Sequence, residues 1–193
     1  MTDSAMGYGK QGQGHPTNSM HDEFFRAYGS AMFAWQEVET ALFKLYHSMN
    51  VLDARQDIMV SAKAYYTKKS FGLKRELVNK LARDVNVKTF IDWDSLNRDL
   101  KSESVCRNSL AHRPAQLVER PDGSVSLELG DPIFFPLSLG EIPAIAFPYD
   151  TNGCWGLCRR FKDLAQRVDA ACGQIPHKFA NNQLIRSDSH KTK

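Results

Sequence analysis

Residues 92–114 read DWDSLNRDLKSESVCRNSLAHRP, and the spacing of apolar residues within them decides the fold. On an α-helix turning about 100° per residue, Trp93, Leu96, Leu100, Ser104, Arg107 and Ala111 fall in one stripe. The helix is predicted to begin near Asp92 and to run to Arg113, because Pro114 disfavours helical geometry at the residue before it. Arg107 therefore stands where the stripe calls for an apolar side chain. Asn108 and His112, four residues apart, share a second side, and His112 lies roughly 120–140° around the helix from Arg107.

Other helices flank this one. Residues Asp22 to Met49 contain no proline and carry Tyr28, Met32, Trp35, Leu42, Tyr46 and Met49 at three- and four-residue spacing, which predicts a long amphipathic helix. Asp53 is expected to cap a second helix through about Thr67, and Ser70 a third from Phe71 to about Val85. After Pro114 the pattern changes to strict alternation. Residues 115–119 and 124–129 alternate around Arg120-Pro121-Asp122-Gly123, which is turn chemistry for a hairpin.

Pro132, Pro136, Pro143 and Pro148 then predict irregular chain, with a possible strand at Ile133 to Phe135. From Asp150 or Thr151 a last helix is expected, presenting Trp155, Cys158, Phe161, Ala165, Val168 and Cys172 on one face and ending before Gly173 and Pro176. The predicted fold is a mainly α, antiparallel helical bundle with a small β-hairpin insertion before the last helix.

At 193 residues, 42% of them hydrophobic, the chain suits one domain with tails. That domain is expected to span 22–177, including a hairpin and proline-rich insert at about 115–149. A glycine-rich arm at 1–21 and a polar tail at 178–193 are expected to be disordered. The arm lacks the Gly-Lys-Ser/Thr ending of a phosphate loop. No apolar targeting segment and no run of about 18 apolar residues occur, so a membrane span is not expected. Cys106, Cys154, Cys158 and Cys172 include no Cys-x-x-Cys pair, which predicts a reduced, cytoplasmic protein with no metal site.

A formal charge of +3 is too mild to demand a nucleic-acid partner by itself. Local distribution says more: Lys63, Lys68, Lys69, Lys74, Arg75, Lys80, Arg83 and Lys88 are set against only Glu76 and Asp84. With Tyr65, Tyr66 and Phe71 alongside, and Arg113 at the end of the motif helix, this stretch is a candidate surface for an RNA backbone and for base stacking.

Glu39 repeats the anomaly of Arg107, because it lies on the line of Trp35, Leu42 and Tyr46. Either charge would be costly to bury alone, so the two are expected to meet, Glu39 orienting Arg107. Chemically, Arg107 suits stabilisation of a pentavalent phosphorane, and an imidazole at position 112 suits proton exchange near neutral pH. That scheme needs no cofactor.

The run Arg107-Asn108-Ser109-Leu110-Ala111-His112 resembles the Arg-x4-His signature of HEPN domains, in which a polar residue often follows the arginine. Trp35-Gln36-Glu37-Val38-Glu39 is similar to the first helix of such domains, and the resemblance covers about Asp22 to Pro114. It implies a homodimer whose two motif helices form one cleft. It further implies an endoribonuclease acting in stress or defence, with Arg107, His112 and Asn108 as site residues and attack by the substrate's own 2′-hydroxyl. In the toxin–antitoxin branch, which has a cognate inhibitor protein, a tyrosine stands two residues after the histidine; here that position is Pro114. The alternative function is a non-catalytic helical module for dimerisation or for binding a nucleotide or a partner.

Overall fold

The computed structural model describes residues 18–52, 57–130 and 149–176. In chain order they form α1 (Asn18–Leu52), α2 (Ile58–Tyr66), α3 (Phe71–Asp84), a 3-10 turn (Val87–Thr89), α4 (Trp93–His112), β1 (Ala115–Glu119), β2 (Val125–Leu129) and α5 (Thr151–Gly173). The protein is thus mainly helical, with an antiparallel hairpin before the last helix, as its periodicity predicts. The expected strand at Ile133 to Phe135, residues 1–17 of the arm expected at 1–21, and the tail expected at 178–193 lie outside the described residues, whereas residues 18–21 of that arm already belong to α1.

The core is organised along α1 and α5, which pack together over most of their lengths. In α1 the buried positions Phe24, Ala27, Ala31, Ala34, Val38, Ala41 and Leu45 alternate steps of three and four residues. In α5, Cys154, Leu157, Phe161, Leu164, Val168 and Ala171 do the same. Such a repeat keeps a narrow seam in register along two long helices.

The four alanines in the α1 seam explain why it differs from the predicted stripe. Large side chains mark the edge of this interface, where Tyr28 and Met32 are half-buried, while small ones let the helices approach. The two helices run in the same direction. Trp35 meets Phe161, Lys44 meets Asp169, and Ser48 Oγ lies 3.0 Å from Cys172 Sγ, so the contacts advance together along both chains.

Helix α2 runs the other way along α1. His47 Nδ1 lies 3.1 Å from Ser61 Oγ, while Tyr65 Oη donates to the Glu39 carbonyl at 3.1 Å, so α2 folds back along α1. Asp57 caps α2 by accepting from the Met59 amide; the expected cap, Asp53, falls outside the described residues. Ser70 caps α3 as predicted, accepting from Leu73 N.

The hairpin turn at Pro121-Asp122 closes with Gly123 N donating to Arg120 O at 2.8 Å and Arg120 N to Ser124 O at 2.8 Å. Gly123 has φ +79°, the left-handed conformation a three-residue hairpin loop needs at its last position and that glycine adopts without steric cost. Strand β2 buries Leu127 and Leu129 against the helices. Leu129 N donates to Tyr149 O and Gly130 N to Pro114 O, which ties the start of α5 and the end of α4 to one end of the hairpin.

Candidate active site on helix α4

Helix α4 is held from both sides along its length. Asp92 Oδ1 accepts from Ser95 N at its start, and Trp93 Nε1 donates to Asn79 Oδ1 at 2.9 Å. Arg75 Nη1 donates to Asn97 Oδ1 at 2.8 Å, completing the link to α3. On the other side Arg167 of α5 pairs with Asp99 at 2.5 Å, and Arg160 pairs with Glu103 at 2.6 Å. These contacts descend α5 as they climb α4, so the two helices are antiparallel. The helix stops where Pro114 dictates: Arg113 is extended, with φ −92° and ψ 133°.

The inward face of α4 contains Trp93, Leu96, Leu100, Cys106 and Leu110. In its second half the centre of that face is rotated from the predicted stripe. Ser104 and Ala111 lie at the edge, half-buried, and Glu103 occupies the place the stripe gave to Ser104. The helix turns that way because the apolar Cys106 and Leu110 are available for burial, and the α5 cation Arg160 receives Glu103.

Arg107 is half-buried, with its Nε enclosed and its Nη1 donating to Asn108 Oδ1 at 3.2 Å. Asn108 and His112 are both exposed. Just beyond, the Arg113 guanidinium lies over the Tyr149 ring, 4.7 Å from its centroid, linking the end of the motif to the start of α5. The motif is therefore a firmly seated helix end that presents an amide and an imidazole to solvent, with an arginine drawn partly beneath them.

Glu39 does not meet Arg107. Its Oε1 accepts from Trp35 Nε1 at 3.1 Å, and its Oε2 is paired with the ammonium of Lys74 on α3. The Lys74 charge also sits 5.4 Å and 5.6 Å from the Tyr65 and Tyr66 ring centroids. The geometry of α1 explains the outcome: Glu39 lies about 140° around the helix from Lys44, which faces α5, so its side chain enters the α2–α3 side instead. Burial, and then the Glu39 charge, push the Tyr65 phenol well above its ordinary value.

With side chains only 15% and 14% exposed, the Glu39–Lys74 pair is structural. Glu39→Gln should cost about 3 kcal/mol in denaturant unfolding, the low end for breaking a buried pair, and should leave any activity of the α4 motif intact below the unfolding transition. A loss of activity at unchanged stability would restore the role in orienting Arg107.

The basic stretch is also partly spoken for. Lys74 is committed to Glu39, Arg75 to Asn97, and Lys88 to Asp94 at 2.5 Å, while Lys69 is exposed and Lys68 half-exposed. Tyr65 and Phe71 belong to the core; Tyr66, 55% exposed, is the ring of the three that a base can reach.

Among the described residues no three His, Cys, Asp or Glu side chains gather as a metal site. Cys154 and Cys158 are core residues, and burial, then the Asp150 charge, push the Cys154 thiol up to about 11. Among the same residues no helix is long and apolar enough to cross a membrane.

Sequence reasoning missed Glu103 and Arg160. The signal was present in the spacing, since Glu103 is one turn before Arg107 on the same side of α4, and Arg160 precedes the core residue Phe161. No family model, curated protein or solved structure matches this chain.

Proposed function

We propose that this chain is a metal-independent endoribonuclease of HEPN type, active as a homodimer that joins two α4 ends into one cleft. The observation that carries this reading is the grouping at the end of α4: half-buried Arg107 bonded to exposed Asn108, with exposed His112 four residues on. A neutral His112 takes the proton of the RNA 2′-hydroxyl as that oxygen attacks the adjacent phosphorus. Arg107 neutralises the extra negative charge of the phosphorane, and Asn108 holds a non-bridging or ribose oxygen. A protonated His112 from the second chain donates to the departing 5′-oxygen, which leaves a 2′,3′-cyclic phosphate and a 5′-hydroxyl. Two chains supply the two protonation states that one imidazole cannot hold at once.

The setting proposed is cytoplasmic stress or defence, with a cognate protein inhibitor as a natural partner. Lys68, Lys69 and Arg113 are the basic residues assigned to the RNA backbone. The chain incubated with single-stranded and structured RNA in excess chelator should cut RNA and leave cyclic phosphate ends, and light scattering of the same preparation should give a dimer mass. Intact RNA of every kind would overturn the reading.

A second reading is a non-catalytic module that binds a partner protein. It is favoured by the three consecutive residues Ile58, Met59 and Val60, which are 52%, 69% and 51% exposed at the start of α2. Intact RNA in the same assay is its expected result.

A further inference from the structure

The inward half of α4 contains two polar atoms with unmet bonding capacity, one turn apart. Glu103, whose side chain is 15% exposed, receives both Nε and Nη2 of Arg160, at 3.1 Å and 2.6 Å, on the single oxygen Oε1. Its second oxygen, Oε2, is enclosed and has no hydrogen-bond partner among the described residues. Arg107 Nε is likewise enclosed and donates to no described residue, while the same guanidinium gives Nη1 to Asn108. An acceptor without a donor and a donor without an acceptor thus lie on residues four apart on one helix face. Glu before Arg at this spacing is the favourable order for a side-chain pair.

We infer that Glu103 is the positioning residue for Arg107: its Oε2 accepts from Arg107 Nε once the guanidinium turns from Asn108 toward a phosphate. This rests on the ribonuclease reading of the α4 motif. The chemistry favours Nε as the tether, because an arginine held there keeps both Nη groups free for two-pronged contact with phosphate oxygens. Arg160 anchors the glutamate from α5, and its two bonds to Oε1 leave Oε2 aimed elsewhere. Burial works against the Arg160 charge, yet the hydrogen bond and charge of Glu103 outweigh it and hold its guanidinium above the ordinary value. The same glutamate therefore ties the motif helix to α5 and sets the direction of the motif arginine. Asn108 is then a resting partner for Arg107, released when RNA arrives.

The test reads the Arg107 Nε–H signal by NMR, assigned by its loss in Arg107→Lys, in the free full-length protein and with a 2′-O-methyl RNA oligonucleotide that cannot be cut. In the wild type with oligonucleotide the proton should exchange about tenfold more slowly than that of an exposed arginine. Glu103→Gln should abolish this protection and lower kcat about tenfold with little change in KM. Arg160→Gln breaks the inter-helix pair as well but leaves the Glu103 carboxylate, so protection of Arg107 should persist. A merely structural glutamate predicts the same response in both variants, and equal loss or equal retention of protection overturns the inference. Failure of the ribonuclease reading shows separately: the wild type then leaves RNA intact, whatever the Nε–H exchange.

Discussion

Replacing His112 with alanine is expected to lower the rate of RNA cleavage by about 10²–10⁴-fold, the range for removing a general acid or base. On the proposed dimer scheme the effect should be at the upper end, because one substitution removes both imidazoles of the shared cleft. Stability should hardly change: His112 is exposed at the last residue of α4, and surface substitutions usually stay within about 0.5 kcal/mol. Cleavage kinetics beside a denaturation curve therefore separate chemistry from folding. A variant that cuts RNA at the wild-type rate would remove His112 from the mechanism, and with it the dimer scheme that depends on two protonation states.

Trp35→Ala carries the largest expected effect on the fold. The indole is fully buried, and its ring centroid lies 4.6 Å from that of Phe71 and 5.1 Å from that of Phe161, so one side chain joins α1 to α3 and α5. It also holds Glu39 through Nε1, and Glu39 in turn neutralises Lys74. Truncation should cost about 3–5 kcal/mol from the cavity and lost transfer energy. That is a large share of the roughly 5–15 kcal/mol stability of an ordinary domain. The midpoint of thermal unfolding should fall by roughly 6–20 °C for a domain of this size. A fall of less than about 2 °C would mean that the helices close over the gap and that Trp35 is not the hub its contacts suggest.

Much of the fold was legible because helix signals are local. Ser70, Asp92 and Asp150 each cap the helix that follows them, as their residue types predict, and Pro114 ends α4 through a steric clash that needs no tertiary partner. The hairpin was readable from period-two alternation around a Pro-Asp-Gly turn. The α1 seam was not, since it is built on alanines, whose weak hydrophobic signal hides the close approach they permit to α5. The partly buried position of Arg107, and its amide neighbour on the outer face, also followed from 100° per residue alone.

By itself, then, the sequence determined where α3, α4 and α5 start, where Pro114 stops α4, that an arginine enters an apolar stripe, and that Asn108 and His112 share the side beyond it. All of these depend on backbone sterics and periodicity within about one turn. Only the tertiary structure decided which charge answers which. Glu39 found Lys74 rather than Arg107, and Glu103, one turn before the motif arginine, is held by Arg160 from α5. Ion pairing depends on how helices far apart in sequence are rotated about their axes, and a rotation of one residue, about 100°, exchanges one partner for another.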